Sequence, residues 1–320
     1  MDLVRKAILL RTTTKRVVQP MPPKEQKISS PPHKMKKKII VVVGPTAVGK
    51  TAFAIALAQS LNTVVLGADS RQCYKELSIG VARPSPEELA AVPHYFVGSH
   101  SLQENINAGF FERYALDCLE KLFVDHDQVV VCGGTGLYVQ ALCEGIDPMP
   151  SIPEGLRDNI VQQYHTKGLV WLQKELAVKD PGFWAVAEKQ NPQRLMRALE
   201  VFLATGNSIL YYRQKKTVDR PFAIEKMGLD MSMEKLTDRI NWRVDKMMAD
   251  GLLAEVKSLL PYREAVALQT VGYKEIFAHL DGQVDLPTAV AAIKTHTRQY
   301  AKRQLTWFRK DPAIQWQQMG

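Results

Sequence analysis

Five consecutive β-branched residues, Ile39-Ile40-Val41-Val42-Val43, run straight into Gly44-Pro45-Thr46-Ala47-Val48-Gly49-Lys50-Thr51. A run apolar at every position suits a strand buried on both faces, the condition found in parallel sheets covered by helices. The eight residues after it match G-x-x-x-x-G-K-[ST], and a helical apolar pattern (Ala52, Phe53, Ile55, Leu57, Leu61) follows. Strand, glycine loop and helix together form the setting in which this motif cradles phosphate. The glycines let successive N–H groups point inward, and the helix N-terminus adds partial positive charge. Lys50 adds a full charge, and the Thr51 hydroxyl can hold Mg²⁺. Gly44 to Thr51 therefore read as a diphosphate or polyphosphate site. What the phosphates are attached to stays open at this point. A nucleoside triphosphate is the commonest ligand of such loops, but there is no [NT]-K-x-D guanine-reading element and no hydrophobic strand ending in Asp-Glu. An ATP-dependent small-molecule kinase remains possible on the motif alone.

The rest of the chain extends this beginning. Val64-Val65-Leu66 reads as a second short strand ending at Asp69-Ser70, and Val129-Val130-Val131 as a third, running into Gly133-Gly134-Thr135-Gly136. Alternation of apolar strands and helices implies a parallel, doubly wound sheet. Past Gly145 the character changes. Pro148, Pro150 and Pro153 mark a boundary, and Arg157 to about Tyr212 reads as helices without a strand. Phe222 to Met231 may be read as a return to the sheet, with amphipathic helical stretches at Glu234–Leu260 and Leu286–Phe308. The expected fold is α/β, a P-loop NTPase-like parallel sheet core flanked by helices, with an all-helical insertion domain. The expected boundaries are a basic tail at 1–34, a catalytic core at 35–145 and 217–320, and the insertion at 146–216.

Composition narrows the classes further. Apolar residues at 46% and charged residues at 23% are those of a soluble globular chain. No apolar run approaches the ~20 residues of a spanning helix, so no membrane association is expected. Cys73, Cys118, Cys132 and Cys143 form no C-x-x-C pair; scattered thiols suit a reducing, cytoplasmic setting. The net charge of +9 resides wholly in residues 1–38, with 11 Lys/Arg against 2 Asp/Glu. The rest is neutral, so any nucleic-acid surface must come from local clustering. The proline-rich basic start fits three readings: a mitochondrial presequence, an arm on RNA phosphates, or an upstream start codon with Met35 opening the folded protein. The last is preferred.

Three further features carry chemistry. Asp69 ends a strand 19 residues beyond Lys50, at the same carboxyl edge as the phosphate loop. It can act as a general base or indirect Mg²⁺ ligand, or it can simply cap the turn through Arg71-Gln72. Gly133-Gly134-Thr135-Gly136 either admits a ligand or is a plain strand-to-helix turn. Lys294, Arg298, Lys302, Arg303, Arg309 and Lys310, with Tyr300, Trp307 and Phe308 between them, suit RNA contacts or a solvated helix face.

The strings GPTAVGKT (44–51), ADSRQCYKELSIG (68–80), GGTGLY (133–138), NPQRLMRALEVF (191–202), RINWRVDKMMADGLLAEV (239–256), TVGYKE (270–275) and RQYAKRQLTWFRK (298–310) stand in an order that resembles tRNA dimethylallyltransferases. The resemblance is to the bacterial members, without the C-terminal zinc finger of eukaryotic ones. It implies transfer of a dimethylallyl group from dimethylallyl diphosphate to N6 of adenosine 37 in tRNAs reading codons that begin with U. The implied partners are the tRNA anticodon stem-loop and dimethylallyl diphosphate, the implied cofactor is Mg²⁺ at Thr51, and the chain is expected to be a monomer. Under this resemblance the phosphate loop holds a prenyl diphosphate rather than a nucleotide. Lys50 and Thr51 serve that group, Asp69 is the base, and Arg243 grips the diphosphate from the opposite side. The implied tRNA contacts are Asp69, Ser70, Arg71, Gln72, Thr135 and Arg157, then Gln193, Arg194, Leu195, Met196 and Arg197, then Gln269, Thr270, Val271, Gly272, Tyr273 and Lys274. For Leu195 and Met196, packing in the core is the competing reading. Gly80-Val81-Ala82-Arg83-Pro84 departs from the family's usual Gly-Thr-Ala-Lys-Pro, which leaves no hydroxyl at Val81. The rival functions are an adenylate isopentenyltransferase acting on free AMP or ATP, a small-molecule kinase, and an RNA-binding protein with a P-loop switch.

Overall fold

The computed structural model describes residues 37–214 and 216–320; the basic tail at 1–34 and Met35 lie outside the described residues. The described chain forms two compact units. One runs up to Cys143 and resumes over Arg220–Gly320; the other is Glu144–Asp219.

The first unit is built on β1 (Lys38–Val43), followed by α1 (Lys50–Ser60), β2 (Val65–Gly67), α2 (Pro86–Ala91), β3 (His94–Tyr95), α3 (Ala108–Asp125), β4 (Gln128–Cys132) and α4 (Gly136–Glu144). In the second unit lie α5 (Leu156–Lys179), α6 (Pro181–Val186), α7 (Pro192–Thr205) and α8 (Ile209–Tyr212). The chain then returns with β5 (Ala223–Asp230), α9 (Met233–Ala249), α10 (Leu252–Ser258), α11 (Tyr273–Leu280), α12 (Leu286–Phe308) and β6 (Ile314–Gln318). The six strands make one sheet in the order β3-β2-β4-β1-β5-β6, and every pairing is parallel. This is the expected α/β class.

β1 lies between β4 and β5, and its β-branched residues are fully enclosed, as the continuous apolar run demanded. Val42 and Val130 from the sheet pack with Ala54, Ile55 and Ala58 of α1 and with Leu236 and Ile240 of α9. All strands point the same way, so the loops after β1, β2 and β4 open on one edge of the sheet. That edge holds Gly44–Gly49, Asp69–Gln72 and Gly133–Thr135 together. The helical stretch expected over Glu234–Leu260 is broken at Gly251, whose φ of 103° ends α9 and starts α10.

One contact fixes the segment after Asp69. The Glu255 carboxylate accepts hydrogen bonds from the amides of Ser78 (3.1 Å), Ile79 (2.7 Å) and Gly80 (2.9 Å), and from the Tyr273 hydroxyl (2.7 Å). Burial, with Glu255 beside it, pushes the Tyr273 phenol far above its ordinary pKa, so it stays a donor. A Cβ on Gly80 would come within 2.6 Å of the Tyr273 ring, which explains the glycine. Glu255→Ala leaves three amides and a phenol without their acceptor. It is expected to cost about 2–4 kcal/mol, a fall of roughly 3–7 °C in Tm by calorimetry.

The second unit has its own core, in which Ile160, Leu172 and Leu176 meet Phe183, Leu195, Met196 and Leu199. Gly168 (φ 72°) kinks α5. Asp180 caps α6 through a bond from the Phe183 amide at 3.0 Å.

Candidate active site

The phosphate loop has the backbone that its sequence calls for. Gly44 sits at φ 146° against β5, where a Cβ would lie 2.5 Å from the Leu229 carbonyl oxygen. Gly49, at φ 104°, opens α1. Between them Ala47 also adopts a left-handed φ of 67°, a conformation that costs an L-residue roughly 1–2 kcal/mol and persists where the surroundings hold it. The amides of Ala47, Gly49, Lys50 and Thr51 carry no hydrogen bond to any described residue. They form an open cradle at a helix N-terminus, suited to an anion.

Two cations face it. Lys50 Nζ donates to the Pro45 carbonyl at 2.8 Å, and Arg243 Nη1, on α9, donates to Thr46 Oγ1 at 3.2 Å. Burial, helped by nearby Arg243 and opposed by Cys132 and Asp69, lowers the Lys50 pKa to about 8. Burial and the neighbouring Arg239 likewise lower Arg243. A cationic site without its anion is electrostatically uncomfortable in this way, and binding an anion relieves it. Ala47, Asp238, Arg239, Trp242 and Arg243 line a cavity of ≈ 370 Å³ beside the loop. Arg239 and Trp242 were not among the expected site residues, although their i, i+3, i+4 spacing with Arg243 places all three on one helix face.

Asp69 combines both readings of it. Its Oδ1 accepts from the amides of Arg71 (2.9 Å) and Gln72 (3.3 Å), so it does cap the turn. Its Oδ2 has no hydrogen bond to a described residue and lies 3.8 Å from where a Cβ of Gly134 would stand. One oxygen holds the loop and the other is available. Thr135 Oγ1 accepts from the Ser70 amide at 3.0 Å and lies 3.3 Å from Ser70 Oγ, tying the two loops together. The glycines here serve close packing: an added Cβ would meet Ala68 O at 2.1 Å from Gly133, Gln304 Nε2 at 2.4 Å from Gly134, and the Trp307 indole at 2.2 Å from Gly136. Gln72 Nε2 donates to the carbonyls of Val81 (3.1 Å) and Ala82 (2.8 Å).

The other expected contacts are placed unevenly. Gln193 and Arg194 are exposed on α7. Arg157 and Arg197 both bind the buried Glu200 carboxylate, Arg197 at 3.0 Å, and Arg157 also donates to Gln193 at 2.9 Å. Glu200, absent from the expected set, therefore holds two residues of it directly, Arg157 and Arg197, and Arg157 in turn holds Gln193. Leu195 and Met196 are interior to the second unit, so their side chains pack in its core, and their reading as RNA contacts is corrected accordingly. Tyr273 is corrected for the same reason: it is fully buried and bonded to Glu255. Gln269 and Lys274 are exposed, Thr270 and Val271 half-buried, and the Gly272 amide donates to Glu275 at 2.7 Å. Arg298, expected on a basic face, donates to Asn241 at 3.1 Å, and Lys294 pairs with Asp245 at 2.6 Å.

No group of three or more His, Cys, Asp or Glu suited to a metal occurs among the described residues. The Thr51 hydroxyl supplies a hard oxygen with no hydrogen bond to a described residue. That donor fits a Mg²⁺ ion taking the rest of its shell from phosphate and water. No disulfide joins the described cysteines, and no helix among the described residues is long and apolar enough to cross a membrane.

The chain is 48% identical over 275 residues to a tRNA dimethylallyltransferase of Cytophaga hutchinsonii, covering 86% of this chain and 90% of that one. It is 44% identical to tRNA dimethylallyltransferase 1 of Bacteroides thetaiotaomicron, over 86% and 89%. Its fold is similar to a tRNA isopentenylpyrophosphate transferase of Bacillus halodurans, with a TM-score of 0.65 and 34% identity over 88% of this chain and 90% of the other. It is also similar to a eukaryotic dimethylallyltransferase acting on tRNA, with a TM-score of 0.71 and 27% identity over 88% and 74%. The family described as IPP transferase matches residues 72–311. The chain belongs to the IPP transferase family.

Proposed function

We propose that this protein transfers the dimethylallyl group of dimethylallyl diphosphate to N6 of adenosine 37 in tRNAs reading codons that begin with U, giving N6-(dimethylallyl)adenosine and diphosphate. The observation that carries this reading is the juxtaposition, at one sheet edge, of an open cradle of amides facing Lys50 and Arg243 with a carboxylate oxygen, Asp69 Oδ2, that has no hydrogen bond to a described residue.

Each residue has a task in such a reaction. The open amides of the loop, Lys50 and Arg243 hold the diphosphate and stabilise its charge as the allylic C–O bond breaks. The N6 amine is a weak nucleophile because its lone pair is delocalised into the ring. As the N6–C bond forms, its proton becomes acidic and passes to Asp69 Oδ2. Diphosphate leaves with the electron pair of the broken C–O bond. Thr51 would hold Mg²⁺, which would supply further neutralisation of the diphosphate. The acceptor adenosine must leave its stack to reach Asp69, at a cost of a few kcal/mol. Ser70, Arg71, Gln72 and Thr135 flank that position. Arg157, Gln193, Arg194, Arg197, Gln269, Thr270, Val271, Gly272 and Lys274 are proposed to meet RNA, the arginines and lysine at phosphates. The protein acts as a cytoplasmic monomer in this reading.

The test is incubation with labelled dimethylallyl diphosphate and tRNA lacking the modification, followed by nucleoside analysis, with AMP and ATP as parallel acceptors. Label in N6-(dimethylallyl)adenosine of the tRNA supports the reading; label in AMP or ATP alone replaces it with adenylate isopentenyl transfer.

Lys50 gives a pH prediction. Its pKa is lowered to about 8 in the free protein, so above that pH it loses the proton that faces the diphosphate. The donor is already ionised there and gains no compensating charge. The KM for dimethylallyl diphosphate is expected to climb above that pH, by up to ~10-fold per unit, while the KM for tRNA changes less. Initial rates at subsaturating donor across the alkaline range measure this.

A further inference from the structure

Two amides of the phosphate loop are engaged: Val48 donates to the Pro45 carbonyl at 3.4 Å within the loop, while Thr46 is held by a side chain from elsewhere in the fold. Its N–H is not open: it donates to Gln304 Oε1 at 2.8 Å. The same glutamine side chain donates from Nε2 to the Gly134 carbonyl at 2.9 Å. Gln304 comes from α12, 258 residues along the chain from Thr46, and it is buried, with 6% of its surface exposed. It therefore stands between the phosphate loop and the Gly133–Thr135 loop, and both ends of its amide are engaged. The fit is close, since an added Cβ on Gly134 would lie 2.4 Å from Nε2. A glutamine packed this tightly, with donor and acceptor both satisfied, is costly to displace.

We infer that Gln304 is a specificity-determining residue that closes the Thr46 end of the cradle, so that the loop accepts a diphosphate and turns away a triphosphate. The inference rests on the proposed reading of the loop as the donor diphosphate site. A phosphate-loop motif by itself commonly serves nucleoside triphosphates, and the amides of Ala47, Gly49, Lys50 and Thr51 are as open here as that role requires. The difference lies in the Thr46 amide, covered by a neutral side chain that brings its own oxygen. A third phosphoryl group reaching toward Thr46 would have to displace Gln304, leaving the Gly134 carbonyl without its donor and the Thr46 amide to be re-bonded. A diphosphate seated on the open amides, Lys50 and Arg243 makes no such demand. Negative selection of this kind is one of two ways a site distinguishes related ligands.

The experiment compares inorganic diphosphate and inorganic tripolyphosphate as competitors of dimethylallyl diphosphate, in prenyl transfer to tRNA, for the full-length protein and two variants. Gln304→Ala opens the space; Gln304→Met fills it without hydrogen bonds. The unaltered protein is expected to favour diphosphate over tripolyphosphate. In Gln304→Ala the ratio of the two inhibition constants should move toward tripolyphosphate by at least about 10-fold, the factor one hydrogen bond to a charged group supplies. Gln304→Met should keep the part of the discrimination that comes from filling the space, and so shift the ratio less than Gln304→Ala does. Direct titration of the two anions by calorimetry replaces inhibition where a variant transfers too slowly, and if Gln304→Ala does not fold, Gln304→Met decides. The inference is overturned if the unaltered protein takes both anions equally, if Gln304→Ala changes both affinities by the same factor, or if Gln304→Met loses all discrimination. The failure of the underlying reading looks different: the unaltered protein then transfers no prenyl group to tRNA, whichever anion it binds.

Discussion

Asp69→Asn is expected to lower kcat for prenyl transfer at least ~10²-fold, with the affinity for tRNA nearly unchanged. The structure makes asparagine more informative than alanine at this position. Oδ1 of the native residue accepts from the amides of Arg71 and Gln72, and an asparagine oxygen can do the same. What asparagine lacks is the basic oxygen on the other side, so the turn survives and the proton acceptor is lost. Asp69→Ala removes both, and its kcat loss should come with a fall of about 1 kcal/mol in stability. Single-turnover rates separate the chemical step from binding, and melting temperatures separate the two variants. An asparagine variant with native kcat would leave Asp69 with the capping role alone.

The second large effect is at the donor. Lys50→Ala is expected to lower kcat/KM for dimethylallyl diphosphate by ~10²–10³, the range for removing one preorganised donor from a developing anion. Part of this falls on KM and part on kcat, because the charge on the diphosphate grows as the C–O bond breaks. Lys50 contributes little to the fold in exchange. Its bond in the free protein goes to the Pro45 carbonyl, and its pKa is lowered by burial, so removing it relieves an electrostatic strain. The variant should therefore be at least as stable as the native protein near neutral pH. Loss of activity together with a large loss of stability would mean that the residue is structural.

The legible parts of this chain are those in which local sequence and tertiary environment say the same thing. β1 is an unbroken β-branched run in the middle of the sheet, and the loop after it carries glycines where φ is positive. α12 was bounded correctly at Leu286–Phe308, since Asp285 caps it and its apolar face is regular. β6 escaped notice because Ile314-Gln315-Trp316-Gln317-Gln318 is mostly polar, as suits an edge strand exposed on one side. β3 has only two residues and no pattern to read. The helix break at Gly251 lay in plain view but was outweighed by the apolar spacing on either side of it.

The site divides in the same way. Lys50, Asp69 and Thr135 could be placed because each follows a strand at the carboxyl edge. Arg243 came only through resemblance, since a lone arginine on an amphipathic helix carries no signal until the helix packs against the loop. Gln304, Glu255 and Glu200 were missed for one reason. Each binds a partner far away in sequence, across 258 positions for Gln304 and Thr46 and 43 for Glu200 and Arg157, and an uncharged or singly charged side chain among apolar neighbours does not announce such a partner. Tyr273, Leu195 and Met196 show the opposite error: they lie within strings that resemble RNA-facing segments, yet their side chains point into the core.

The most direct measurement is the crystal structure of the protein soaked with a non-hydrolysable thio analogue of dimethylallyl diphosphate, and separately with ATP. The account predicts the analogue's two phosphates on the amides of the loop between Lys50 and Arg243, its allylic carbon directed toward Asp69 Oδ2, and no ordered ATP. ATP seated in the loop with the analogue absent, or Asp69 facing away from the allylic carbon, would contradict it.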